Sequence, residues 1–352
     1  MSAVAAALTI SATLVAAGCS SNSDSSSSSG APGDLSSVSL KIGQTGWRQT
    51  YAALQVAGLD HTPYKTEWPV FSGGDQQMQA IQSEAIDVAQ SSEIPPIFAA
   101  AGGTVRFKQV AFQTSTTLLQ EVIVGKDSSI TSIKQLKGKK VGYVKNTTAA
   151  YFLNELLKQN GLTWKDIEPK PLLPNEGLAA LNGGSIDAFA SYGNTIIQAH
   201  QGGAKTIGSG ENILSGNFPW VAANGVLSDA GKKAAVADLL GRINRAWIYV
   251  RNGHEQEYAQ AFADATHQPL NSALTQVQNQ ERQRPTTVHT PTPEAVQSQQ
   301  RVADSLQEIG ALPGHVVVKD LWTNDLDTLL TQQLSATPSA PAAAPATSSA
   351  AG

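Results

Sequence analysis

The 352-residue sequence holds a single cysteine, Cys19, so no internal disulfide can form and no cysteine-rich metal site can be built. Charge is sparse as well. Only 15% of residues are Asp, Glu, Lys or Arg, and the net charge of -4 leaves no basic surplus that would gather nucleic-acid phosphates, so no nucleic acid is expected as a partner. The six histidines (His61, His200, His254, His267, His289 and His315) make no H-E-x-x-H pair, and no Walker-type phosphate loop is present. With neither a metal cluster nor a free thiol nucleophile in view, the expectation is a protein that is not an enzyme and carries no cofactor and no metal.

What is present is 41% hydrophobic residues and a length that suits two lobes of about 100 to 150 residues each. The ends stand apart from this folded body. Residues 1–18, MSAVAAALTISATLVAAG, are uncharged and run into Cys19 and a Ser-rich stretch. A spanning helix needs about 20 apolar residues, and the small residues before the break read as a cleavable signal. Ala16-Ala17-Gly18-Cys19 resembles the lipobox of bacterial lipoproteins, with Ala16 where Leu is usual and no Lys or Arg ahead of the apolar run. The resemblance implies that Cys19 is lipidated and that residues 19–37 form a flexible tether. At the far end, 335–352 is an Ala/Pro/Ser tail without apolar periodicity, read as disordered.

Between the ends the sequence repeats itself at a spacing near 100 residues. Ala85-Ile86-Asp87-Val88-Ala89 echoes Ser185-Ile186-Asp187-Ala188-Phe189, and Lys41-Ile42-Gly43 echoes Lys140-Val141-Gly142. Met78, Ile81 and Ala85 mark a helix face before a strand at Ile86 and Val88; Leu178, Leu181 and the Gly183-Gly184 break do the same before Ile186. Strands alternating with helices at this length predict β-α-β units and a parallel sheet in each half. Ligands of such sheets sit at loops beyond the strand carboxyl ends. Those loops are Gly46–Thr50 and Ser91-Ser92-Glu93 in one copy, and Lys145–Thr148 and Ser191–Thr195 in the other. Their hydroxyl and amide side chains suit helix capping and, equally, an anion at helix starts.

The segment Ser83–Asp87 with Glu93-Ile94-Pro95-Pro96, the run Leu136-Lys137-Gly138-Lys139-Lys140-Val141-Gly142, and Arg284-Pro285 followed by Gln299–Asp304 and Gly310–Pro313 together resemble the aliphatic-sulfonate, taurine and nitrate family of periplasmic binding proteins. The likeness covers roughly residues 38–330. It implies an α/β, two-lobed type II periplasmic-binding-protein fold with a ligand cleft between lobes and two hinge crossings, near Leu118–Gly125 and Phe218–Gly225. Lobe one would then comprise 38–119 and 222–330, and lobe two 120–221.

The resemblance also implies a receptor of an ABC importer: a monomer, lipid-anchored outside the cell membrane, working with a permease and a separate ATPase subunit. Its cleft positions carry over to Gly46, Trp47, Ser91, Ser92, Asn146, Thr147, Thr148, Tyr192 and Asn194. A sulfonate offers only acceptor oxygens and should meet donors. Trp47 and Tyr192 either face the ligand's carbon portion or pack in the core. Arg48 either contacts the anion or is solvated. Glu93 either caps the helix at Pro95 or binds a ligand amine, which would suit a taurine-like zwitterion. The expected ligand is an aliphatic sulfonate or related organosulfur anion, with taurine, nitrate or a thiamine-precursor pyrimidine as alternatives. A desulfinase-like enzyme on the same fold is the reading from another class, and with Cys19 in the lipobox it lacks its thiol.

Overall fold

The computed structural model describes residues 34–336. The expected signal, residues 19–33 of the tether and nearly all of the tail lie outside them; the last tether residues, 34–37, are instead part of the fold, with Leu35 buried in the core. The first half runs through β1 (Ser39–Thr45), α1 (Gln49–Val56), β2 (Lys65–Glu67), β3 (Val70–Phe71), α2 (Gly74–Gln82), β4 (Val88–Gln90), α3 (Ile94–Ala101) and β5 (Phe107–Thr114). The second copy follows with β6 (Gln120–Val124), β7 (Lys140–Tyr143), α4 (Thr148–Gln159), β8 (Glu168–Pro171), α5 (Pro174–Asn182), β9 (Ala188–Tyr192), α6 (Asn194–Gln201) and β10 (Lys205–Ser209). The chain then adds β11 (Asn217–Ala223), α7 (Asn224–Leu227), α8 (Ala230–Arg251), α9 (Glu255–Thr266), α10 (Leu270–Gln283), β12 (Thr287–His289), α11 (Pro293–Glu308) and α12 (Asp327–Ser335).

Two sheets result. One has seven strands in the order β12-β5-β11-β4-β1-β2, with β3 also paired to β1; the other has five, β10-β6-β9-β7-β8. The internal repeat persists down to single hydrogen bonds. Lys41 N donates to Asp87 Oδ2 at 2.8 Å in one sheet and Lys140 N donates to Asp187 Oδ2 at 2.8 Å in the other. Each aspartate returns a backbone bond, Asp87 N to Lys41 O and Asp187 N to Lys140 O. The paired glycines have the same cause: a Cβ on Gly43 would lie 2.5 Å from Ile86 Cδ1, and one on Gly142 would lie 2.6 Å from Ile186 Cδ1. The isoleucine of each I-D pair fills the space that the glycine leaves.

Both faces of the large sheet are covered. Leu40, Ile42, Leu240, Ile243 and Phe262 share one core, and Ile81, Ile97, Phe107 and Leu306 share the other. The small sheet has its own core, in which Val122, Val141, Phe152 and Phe189 are fully buried. Gly177 on α5 allows the helix to lie against Phe189, whose Cζ would be 2.1 Å from an added Cβ. Among the described residues no helix is long and apolar enough to cross a membrane.

The chain passes between sheets earlier than the β-compatible stretches suggested. Gln120–Val124 is already a strand of the small sheet and Asn217–Ala223 is an inner strand of the large one, so the crossings are 115–119 and 210–216. The expected boundary at 221/222 therefore falls inside β11. The apolar stretches are the strands that receive the chain; the Ser/Thr and Gly-rich residues before them make the passage. Ser115 N donates to Gly216 O at 2.9 Å, which ties the two crossings side by side.

Candidate functional site

Strand carboxyl ends from both sheets open onto one cleft of about 760 Å³, within the size range of small-molecule sites. Eight of the ten sequence-derived positions line it: Gly46, Trp47, Ser91, Ser92, Thr147, Thr148, Tyr192 and Asn194. The matched loops of the two halves are thus brought together, each at a β-to-α junction. Gly46 and Gly193 both take positive φ, 72° and 58°, backbone that glycine adopts without the cost a Cβ would bring.

The helices set its electrostatics. The first residues of α1, α2, α4, α5 and α6 (Gln49, Gly74, Thr148, Pro174 and Asn194) all line the cavity. Helix starts carry free backbone N–H groups and a partial positive charge. Among the described residues no Lys or Arg lines the cleft, and the ionisable carboxylates that line it are Glu176 and Glu281. Attraction for an anion therefore comes from neutral donors and helix ends.

The side chains divide into those already engaged and those that are not. Thr147 Oγ1 donates to Val144 O at 2.8 Å and accepts from Ala149 N at 3.2 Å, so this hydroxyl caps α4. Thr148 Oγ1 donates to Gln120 Oε1 at 2.8 Å. Ser91 Oγ is buried at the cleft wall and bonds to no protein atom. Trp47 lines the cavity and packs against the core, stacked on Phe262 with centroids 5.0 Å apart. Tyr192 is held at the end of β9 with its hydroxyl toward Thr147, and burial pushes its pKa up to about 12, so it stays neutral.

Two positions fall elsewhere. Glu93 occupies the N-cap position of α3 without a side-chain cap bond and does not line the cleft. It lines a small neighbouring pocket that shares Ser92, Gln120, Thr148 and Phe218 with the cleft; there its Oε2 accepts from Ser215 Oγ at 2.6 Å and its backbone carbonyl accepts from Gln299 Nε2 at 2.7 Å. Burial raises its pKa to about 7, against the lowering effect of bonds from Ser215, Asn217 and Ser298 and of Arg301. Asn146, with φ of 58°, donates from Nδ2 to Asp75 Oδ2 at 3.2 Å on the opposite lobe. It joins the lobes instead of lining the cavity. Arg48 is exposed and also lies outside the cleft lining.

Sequence reading missed the glutamines Gln77, Gln90, Gln113 and Gln120, and the aromatic wall of Trp247, Tyr258 and Phe262. The glutamines had a signal, since Gln90 and Gln113 are polar residues at the ends of apolar strands. The aromatics come from α8 and α9, far from any loop of the repeat, and carry no local mark.

Two covered sheets with an interlobe cleft at their strand ends define the two-lobed fold of periplasmic solute-binding proteins. Residues 71–210 match the family model described as NMT1/THI5 like. It is 27% identical over 260 residues to an aliphatic sulfonates-binding protein of Escherichia coli K12, covering 73% of this chain and 79% of that one. The solved alkanesulfonate-binding protein SsuA of Xanthomonas axonopodis pv. citri, bound to MOPS, superposes with a TM-score of 0.73 at 23% identity, over 81% of this chain and 98% of the other. The desulfurization enzyme DSZB shares the fold at a TM-score of 0.60 and 16% identity, over 84% of this chain and 99% of its own.

Proposed function

We propose that this chain is the extracytoplasmic receptor of an ABC importer that captures an aliphatic sulfonate or a related organosulfur anion and hands it to the permease unchanged. The observation that supports this most is the convergence of five helix starts on a cleft that, among the described residues, no basic side chain lines. Such a cleft suits a weakly hydrated monoanion, whose acceptor oxygens match N–H and O–H donors. The sulfonate-binding relatives supply the headgroup.

A thermal-shift screen of alkanesulfonates, taurine, nitrate and pyrimidines checks the ligand. A true ligand at about 100 times its Kd stabilises the fold by about 2.7 kcal/mol. A shift with nitrate or pyrimidines alone would overturn the sulfonate assignment. Recovery of intact ligand after prolonged incubation separates the receptor from a desulfurising enzyme.

In the same reading Cys19 carries a lipid that holds the protein on the outer face of the cell membrane. Cys19→Ser should move the protein from the membrane fraction to the soluble one. Unchanged partitioning would refute the anchor.

A further inference from the structure

Only three large apolar side chains stand exposed among the described residues: Val70 at 46%, Leu173 at 49% and Val317 at 48%. Isolated exposed apolar residues are ordinary, but two of these three line the same cleft. They also sit on the corresponding strand-to-helix connection of each half, three residues apart in register. Val70 begins β3, which extends β1 on its outer side and leads into α2. Leu173 follows β8, which flanks β7 in the same way, and leads into α5. Each is therefore both exposed and cleft-lining, which puts it at the rim, one on either lobe. Phe71 and Pro174 continue the apolar surface inward.

We propose that Val70 and Leu173 form an apolar subsite for the ligand's tail and set its specificity toward sulfonates with an uncharged hydrocarbon chain of several carbons. This rests on the sulfonate reading above. A cleft of about 760 Å³ is far larger than a one- or two-carbon sulfonate fills, and a longer chain leaving the helix starts has a route between the two lips. Glu176, in the first turn of α5 and lining the cleft, opposes a second negative charge at the chain's end. The subsite therefore favours monoanions.

Calorimetric titration of ethane-, butane- and hexanesulfonate, and of hexanesulfonate carrying a terminal carboxylate, tests the proposal on wild type and on the Val70→Ser, Leu173→Ser double variant. Both side chains are exposed, and serine is a favoured residue at the N-cap position that Leu173 occupies. Each methylene placed against apolar surface should tighten wild-type binding roughly fourfold. The double variant should bind hexanesulfonate at least about tenfold more weakly while ethanesulfonate changes by less than about twofold. The carboxylate-bearing ligand should lose the gain of its chain. Binding that stays flat with chain length, or a variant that weakens all ligands equally, overturns the subsite and leaves the sulfonate reading in place. No binding of any sulfonate sinks both.

Discussion

Ser91 and Thr147 show how one residue type carries two kinds of duty at the same cleft. Thr147 Oγ1 accepts from the α4 backbone and donates to Val144 O, so Thr147→Ala should cost about 1 kcal/mol of stability, as loss of a helix cap usually does. Ser91 Oγ has no protein partner to lose. Ser91→Ala should leave the melting temperature of the unliganded protein nearly unchanged. Its hydroxyl is free to donate to a ligand oxygen, and a hydrogen bond to a charged group contributes about 1.5–3 kcal/mol, so the variant should bind sulfonate roughly 10- to 100-fold more weakly. Melting curves and titrations of the two variants separate capping from binding. Equal affinity for Ser91→Ala and wild type would remove Ser91 from the site.

At the scale of the element, α3 carries a buried acid at its start. The neutral form of Glu93 is favoured because burial raises its pKa from an ordinary 4.5 to about 7. The groups around it are Ser215 of the second crossing, Asn217 of β11, Ser298 and Arg301 of α11, and Tyr151 of α4. Because the folded chain holds this proton more tightly than the unfolded one, the stabilisation is fully present below pH 4.5. It is lost as pH climbs toward about 7. The change is on the order of 3 kcal/mol. Glu93→Gln keeps the carbonyl acceptor for Ser215 and removes the titration, so the difference in melting temperature between variant and wild type should grow in the variant's favour from pH 5 to 8. A constant difference would mean that Glu93 is ionised throughout.

The elements differ in how far the sequence revealed them. The repeat was legible because Asp87 and Asp187 perform the same backbone bonds beside the same glycine, so chemistry held both copies to one pattern. The crossings were not, because β-propensity marks a strand without saying which sheet receives it. Three of the five helix starts at the cleft, Gln49, Thr148 and Asn194, lie in loops read from the repeat; Gly74 and Pro174 do not. The placement of Glu93 in the pocket beside the cleft depends on Ser215 and Gln299, more than 100 residues away, and no local pattern carries that.

In the proposed receptor the two lobes would come together around the ligand, a hinge motion about the crossings. A ligand that binds only the closed form is weakened by whatever lowers that form's population. The bond from Asn146 Nδ2 to Asp75 Oδ2 spans the lobes at the cleft, and burial raises the pKa of Asp75 with Asn146 and Lys145 opposing the rise. Neither Asp75 nor Asn146 lines the cavity, so both should act through closure alone. Asp75→Ala and Asn146→Ala should each reduce sulfonate affinity by roughly fivefold, the value of about 1 kcal/mol for one net hydrogen bond. Combining them should add little, because the second change removes a bond that the first has already broken. Small-angle scattering should show both single variants shifted toward a larger radius at subsaturating ligand. If Asn146→Ala weakens binding while Asp75→Ala does not, the Asn146 amide reaches the ligand directly and the interlobe tie contributes nothing to closure.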